Sequence, residues 1–473
     1  MKRALLAVLL AASACEPPKP PPPTTAPTAA AGARTNVVLI TIDTLRADHL
    51  GAYGYRRATS PRLDAFAGRA VVFDQAYTYW PKTRGSFVAM MTGRRDSQSG
   101  YGKSHPLVLD FNPTLAEVLK KAGYRTAAIV DNPNVAAQHG YARGFDRYRE
   151  TWLKEENLPT EMDRTRAITA DGVAFLQEAG AGQPFFLWLH YVNPHAPYTP
   201  PPPYDSAFTG DADARKGPRL EAVDGFVGGI RKEWAVPGRD LLGYYVAQYD
   251  GEIAAVDQEV GKVLDALDRS PQAARTLVVV TSDHGESLGE HGYYFDHGQD
   301  LYDPCLRIPL LVAEPGIAGG TRSAQLASTL DLVPTVLDAV KVSYPPDLAG
   351  TSLLPALRGR ELARDRLFAR NDRNLTAGFD ARHKAIATPR DTGLALSFFD
   401  RQADPGETQD VSRRQPEDLR VARRELELFV QRWDSEWART QRLLEGKAGE
   451  APGRPEDCEQ LVALGYIKPG GCK

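Results

Sequence analysis

Apolar residues run in short unbroken blocks along this chain. NVVLITI (36–42), TAAIV (126–130), FFLWLH (185–190), LVVVTS (277–282) and RIPLLVA (307–313) are each rich in β-branched or aromatic residues. A run that is apolar at nearly every position has no wet face. That predicts strands covered on both sides, in a central and mainly parallel sheet. Between these runs the period changes. Leu115, Val118, Leu119 and Ala122 recur at helical spacing, as do Ile253, Val256, Val260, Val263, Leu264 and Leu267. They predict amphipathic helices. The alternation predicts an α/β architecture with helices on both faces of the sheet.

The pattern shifts near residues 345–358. Beyond it, DTGLALSFFD (391–400) reads as a strand ending in a turn at DPGE (404–407), and 416–437 reads as a charged helix. This predicts a main domain over 36–345 and a small C-terminal α+β subdomain over 346–473.

The first residues, MKRALLAVLLAASAC, follow neither pattern. Lys2 and Arg3 precede an apolar stretch, Leu5 to Ala12, too short to span a bilayer as a helix. Ala12, Ser13 and Ala14 then lead into Cys15. The segment resembles a bacterial lipoprotein signal, which implies cleavage before Cys15, lipidation of its thiol and export to a membrane surface. Residues 16–35, rich in Pro, Thr and Ala, read as an extended spacer.

Composition changes this picture little. The 473 residues are 42% hydrophobic and 25% charged, with a net charge of −3 and no long basic run. That balance offers no electrostatic basis for nucleic acid binding. Cys458 and Cys472 can pair in an oxidising compartment and clamp the C-terminal tail. Cys305, in an apolar stretch, reads as a buried free thiol.

In open α/β sheets, sites form beyond the carboxyl ends of strands. That singles out Asp43, directly after NVVLITI, and Asp283-His284, directly after LVVVTS. The stretch TSDHGESLGEHGYYFDHG (281–298) adds His291, Asp296 and His297. A mixed Asp/His set suits Zn²⁺, Mn²⁺ or a similar divalent ion better than an all-oxygen Ca²⁺ cage. LHYVNPHAPY (189–198) supplies His195, on a proline-rich loop, and His190, which ends an apolar strand and reads as a core or supporting histidine.

WPKTRGSFVAMMTGRR (80–95) carries the remaining candidate. Phe87, Met90 and Met91 lie at helical spacing, and Gly93 marks a helix end. Thr83 therefore falls at the helix start. There it reads as both a cap and a nucleophile: a hydroxyl beside a divalent ion and a helix N-terminus ionises more readily. Lys82 and Arg84 flank it with positive charge for an oxyanion-rich transition state.

Taken in order, these stretches resemble the sulfatase family of the alkaline phosphatase superfamily. ITIDTLRADHLGAYGYRRATSPRLDAFA (40–67), YVNPHAPY, TSDHGESLGEHG, LYDPCLRIPLLV (301–312), DLVPTVLDAVKV (331–342), FFDRQADPGETQDVS (398–412) and LVALGYI (461–467) match family landmarks across residues 35–467. The resemblance implies a large alkaline phosphatase-like domain around a mixed, mainly parallel sheet, with a small C-terminal domain. It implies metal ligation by Asp43, Asp283 and His284, substrate-side roles for His195 and His291, and a substrate contact at His297. It also implies a sulfated or phosphorylated small molecule, glycan or lipid headgroup as substrate, and a divalent ion (Zn, Mn, Mg or Ca) as cofactor.

Departures from the family pattern sharpen the reading. The usual Cys/Ser-x-Pro-x-Arg motif, whose first residue matures to formylglycine, falls on Thr83, with Gly85 for the Pro and Phe87 for the Arg. Threonine carries a β-methyl group and cannot yield that aldehyde, so no formylglycine is expected. Thr44 stands for a second acidic ligand. Asp131-Asn132 replaces a Lys-x-His segment, which makes Asn132 a substrate-binding candidate. The set Asp43, Thr83, Asp283 and His284 resembles a superfamily branch in which a metal-bound threonine attacks phosphorus. The expectation is a metal-dependent hydrolase or transferase that favours phosphate esters or diesters over sulfate. The alternative is an inactive relative that binds an anionic glycan or lipid.

Overall fold

The computed structural model describes residues 34–473, apart from 181, 392, 448, 450–453, 469 and 473. The expectations for Cys15, the signal and most of the spacer fall outside the described residues. The main sheet has eight strands: β1 (Asn36–Ile42), β2 (Val71–Tyr77), β3 (Arg125–Val130), β4 (Arg147–Glu150), β5 (Phe185–Tyr191), β6 (Thr276–Thr281), β7 (Leu310–Ala313) and β8 (Thr321–Ser328). Their order is β8-β2-β7-β6-β1-β5-β3-β4. β7 runs antiparallel to both neighbours, and the other pairings are parallel.

The two sides of β1 face two cores. Val37 and Leu39 pack with Phe87, Val88 and Met90 of the helix Thr83–Thr92. Val38, Ile40 and Ile42 pack with Ile253, Val256 and Val260 of the long helix Leu242–Asp268. Each such side chain contributes roughly 1.5–3 kcal/mol when fully buried, which is why the apolar-at-every-position run forms the sheet centre. β2 (VVFDQAY) and β8 (TRSAQLAS) carry polar residues within their spans, so the apolar-run signal passed over them.

Register sets the site. Thr41 on β1 is level with His190 on β5 and with Thr281 on β6. Two residues beyond that line, β1 delivers Asp43 and β6 delivers Asp283. Both carboxylates therefore emerge at the same sheet edge.

A second, antiparallel sheet follows, formed by β9 (Leu367–Arg370), β10 (Thr376–Phe379), β11 (His383–Arg390) and β12 (Gly393–Asp400) in that order. The helix Pro416–Leu444 covers it, with Ala422 and Leu426 against Ala385, Ala387 and Phe398. Lys384 of β11 docks this sheet on the main domain. Its ammonium is buried and pairs with Asp303 and, at 2.7 Å, with Glu407. The chain then returns across the main domain through the helix Pro455–Ala463, where a Cys458–Cys472 disulfide closes a loop. Cys305 is buried and unpaired.

Removing one partner of a buried charge pair costs about 3–5 kcal/mol, because the other charge stays buried. Lys384→Ala should therefore lower unfolding free energy by about 3 kcal/mol in denaturant titration. A loss under about 1 kcal/mol would contradict the docking role given to this lysine.

Candidate active site

Three electron-pair donors meet at the edge where β1 and β6 end. Asp43, Asp283 and His284 are fully buried, and one ligand atom from each lies within 4.8 Å of the others. His284 Nδ1 donates to the Gly285 carbonyl at 2.9 Å. Its Nε2 is then left facing Asp283 Oδ2 at 3.3 Å and Asp43 Oδ1 at 3.7 Å. Neither of those oxygens has a hydrogen-bond partner. Two buried orphan carboxylate oxygens and an imidazole lone pair repel one another unless a cation sits among them. The donor set thus fits a divalent ion, with oxygen and nitrogen ligands of the kind Zn²⁺ or Mn²⁺ accepts.

Burial raises the Asp43 carboxyl, but the imidazoles of His190, His195 and His284 around it outweigh burial and hold the group at about 2. Burial, then the charge of Asp43, pushes Asp283 up to about 6. Asp283 is therefore the carboxylate whose proton a cation must replace.

Asp43 is braced from behind. Asn132 Nδ2 donates to its Oδ2 at 2.6 Å, and His190 Nε2 lies 3.6 Å from the same oxygen. His190 is oriented by Thr41, 3.0 Å from its Nδ1. Thr44, the next residue, sits at φ 53, a conformation rare for a β-branched side chain. Its carbonyl accepts from the buried Tyr249 hydroxyl at 2.8 Å.

Thr83 is the first residue of the helix Thr83–Thr92, and Lys82 is the N-cap. The expected cap role therefore does not hold: the Thr83 hydroxyl makes no capping bond. It lies instead 3.2 Å from His284 Nε2. Ser86, one turn on, donates to the Asp283 carbonyl at 2.7 Å and pins the helix to the end of β6. Gly85 lets the Trp80 indole pack on the helix, since a Cβ there would come within 2.3 Å of that ring. Phe87 is buried between Trp188 and His190, which leaves an apolar surface where the family motif has its arginine.

His195 and His297 stand on the other side of Thr83. His195 Nδ1 donates to the Ala196 carbonyl at 2.7 Å, and His297 Nδ1 lies 3.0 Å from Glu286. Both present Nε2 to the space above the Thr83 hydroxyl. Burial lowers the pKa of each, which keeps the rings neutral. Lys82, His195, Asp296 and His297 line a cavity of about 120 Å³ beside them.

Three expected site residues lie elsewhere. His291, at φ 55, turns outward and stacks on Tyr302 at 3.5 Å; His297, from the same glycine-rich loop, takes the inward position. Arg84 reaches the Pro106 carbonyl at 3.4 Å. Asn132 supports Asp43 rather than facing the cavity. Two groups went unassigned in the sequence, Glu286 behind His297 and Tyr466, whose hydroxyl is 3.0 Å from Thr83 Oγ1. Burial keeps this phenol well above its ordinary pKa, so it stays protonated.

Comparison with known proteins identifies the family and the fold. The profile described as Sulfatase matches residues 35–342. The chain belongs to the sulfatase family. A second profile, N-sulphoglucosamine sulphohydrolase C-terminal, matches residues 289–427. An arylsulfatase of Clostridium perfringens is 24% identical over 80% of this chain and 90% of its own length. An N-acetylglucosamine-6-O-sulfatase of Bacteroides thetaiotaomicron is 23% identical over 68% and 71%. Among solved structures, the phosphonate monoester hydrolase of Agrobacterium radiobacter superposes with a TM-score of 0.69 and 21% identity, covering 85% of this chain and 96% of that one.

The donor set of this sulfatase-family chain makes cation binding pH-dependent in a stated direction. In metal-free protein the raised pKa of Asp283 favours its protonated form, so this group's contribution to stability falls as pH rises from about 4 to about 6. The depressed Asp43 works oppositely, but its change is complete above about pH 4. A divalent ion replaces the Asp283 proton and reverses the loss. Thermal unfolding with Mn²⁺ against chelator should show a larger Tm rise at about pH 7.5 than at about pH 5. An equal rise at both, or a full rise in Asp283→Asn, would contradict this ligand set.

Proposed function

We propose that this sulfatase-family ester hydrolase uses Thr83 as its nucleophile and favours phosphate monoesters or diesters over sulfate esters. The observation that carries the reading is the uncapped Thr83 hydroxyl at a helix N-terminus, 3.2 Å from His284 Nε2 and beside two unpartnered carboxylate oxygens. Asp43, Asp283 and His284 would hold a divalent ion, which would supply Lewis acidity to the Thr83 hydroxyl and the ester.

The residues divide the remaining work. Thr83 Oγ1 forms the bond to phosphorus as the bond to the leaving oxygen breaks, and water later releases phosphate from the threonine. His195 and His297 are oriented through their Nδ1 atoms, so each has Nε2 available to take up or return protons at the nucleophile and the leaving oxygen. Lys82 adds positive charge at the cavity, where a transferred anionic group collects negative charge. The preference for phosphorus follows from the threonine. A formylglycine hydrate has a second hydroxyl through which a sulfate intermediate can collapse, and a threonine sulfate has none.

The names of relatives support a glycan-linked or otherwise anionic ester as substrate class, since they include sulfatases of N-acetylglucosamine and of hexuronate. We also propose an exported, lipid-anchored protein. The Cys15 segment supports this, and the Cys458–Cys472 disulfide is the kind of bond that oxidising compartments keep.

Matched aryl phosphate, phosphodiester and sulfate substrates test the reading. Turnover should be fastest with a phosphate ester, should vanish with chelator, and should fall about a thousandfold in Thr83→Ala. Faster sulfate turnover would overturn the phosphorus preference. Full activity in Thr83→Ala would remove the nucleophile, and no turnover of any ester by the metal-loaded protein would favour a binding role.

A further inference from the structure

The attacking oxygen is not open to an incoming ester. Thr83 is fully buried, and the group over it comes from the far end of the chain, 383 residues away. The Tyr466 hydroxyl lies 3.0 Å from Thr83 Oγ1, 2.9 Å from His195 Nε2 and 3.3 Å from His297 Nε2. One oxygen thus engages the proposed nucleophile and both proposed proton carriers. A phosphorus or sulfur centre bonding to Thr83 needs that same space. Tyr466 lines the adjacent cavity together with Lys82 and His297, and Thr83 is not among the residues that line it.

The segment that delivers the phenol is built as a strap. Its helix is fixed at one end, where Asp457 accepts from Trp152 Nε1 at 2.8 Å and from Gln138 Nε2 at 2.6 Å, and Arg454 pairs with Glu150 at 2.9 Å. Past the helix, the Gly465 carbonyl accepts from Arg231 Nη1 at 2.7 Å. Gly465 sits at φ +78, and a Cβ there would come within 2.4 Å of Trp234, so the chain crosses that face with no side chain. Cys458 and Cys472 close the loop that carries Tyr466.

We propose that Tyr466 is a specificity-determining gate. Its phenol holds the substrate's place over Thr83 in the free enzyme, and an ester must displace it, so the strap selects anionic heads able to outcompete those three contacts. This rests on Thr83 being the reacting group, and its test therefore reads anion binding, which needs no turnover. The probe is inorganic phosphate, titrated calorimetrically into Mn²⁺-loaded protein. Tyr466→Phe removes the hydroxyl and opens a space the size of one oxygen. It should tighten phosphate about tenfold, the amount expected from deleting one or two net hydrogen bonds that the anion otherwise has to break, and should lower KM on an aryl phosphate to match. The Cys458→Ser/Cys472→Ser double variant loosens the strap while leaving Thr83, His195, His297 and Tyr466 unchanged, and should shift affinity the same way. Unchanged affinity in both variants, including no binding by either, overturns the gate. Weaker binding in Tyr466→Phe also overturns it, since the phenol would then be a ligand of the anion. Inactivity of Thr83→Ala, read separately by turnover, bears on the nucleophile alone.

Discussion

Two buried carboxylates whose unpartnered oxygens converge with an imidazole lone pair are the constraint around which this fold is arranged. Uncompensated, Asp43, Asp283 and His284 destabilise the sheet edge they share. Burying an isolated carboxylate costs several kcal/mol even after relaxation, and here two share one cavity. The main sheet, its two cores and the docked C-terminal sheet supply the stability that lets such a cluster persist. Asn132 and His190 brace Asp43 from behind, while Ser86 ties the Thr83 helix to the backbone of Asp283. A divalent ion held there would convert the repulsion into attraction, and in the proposed reaction the Thr83 hydroxyl, 3.2 Å from His284 Nε2, is the group that reacts.

Beyond that cluster, the proposed mechanism turns on protons and access. His195 and His297 are fixed through their Nδ1 atoms by groups from different segments, the Ala196 carbonyl and Glu286, so their Nε2 atoms meet over Thr83 without either ring needing a charge. Glu286 is itself buried, and its carboxyl is pushed up by that burial and by nearby Asp296 and Asp43. The C-terminal strap closes the remaining side. The proposed chemistry draws on residues from Asp43 to His297 and the proposed gate on Tyr466 near the C-terminus, and only the folded chain brings them together.

Much of this was legible in the sequence, for a physical reason. Strands buried on both faces write unbroken apolar runs, so β1, β3, β5 and β6 were readable, and the polar residues just past β1 and β6 had to be at the sheet's carboxyl edge. β2 and β8 were not readable, because their polar residues break the run. The loop 281–298 showed which residue types were present but not which faced inward. His291 and His297 differ in direction because His291 adopts a positive φ, a feature composition does not encode. Asn132 looked like a substrate contact because nothing local says that its amide turns to Asp43. Tyr466 had no chemical context at all: its partners are Thr83, His195 and His297, brought to it only by the return of the tail.

The central claim is that Thr83 itself takes the transferred group. The most direct measurement is mass analysis of the peptide containing Thr83 after rapid acid quenching of the metal-loaded enzyme during turnover of an aryl phosphate. The account predicts a phosphoryl mass increment on Thr83 that disappears with chelator. Steady turnover with that peptide unmodified at every quench time, and with activity retained in Thr83→Ala, would contradict it.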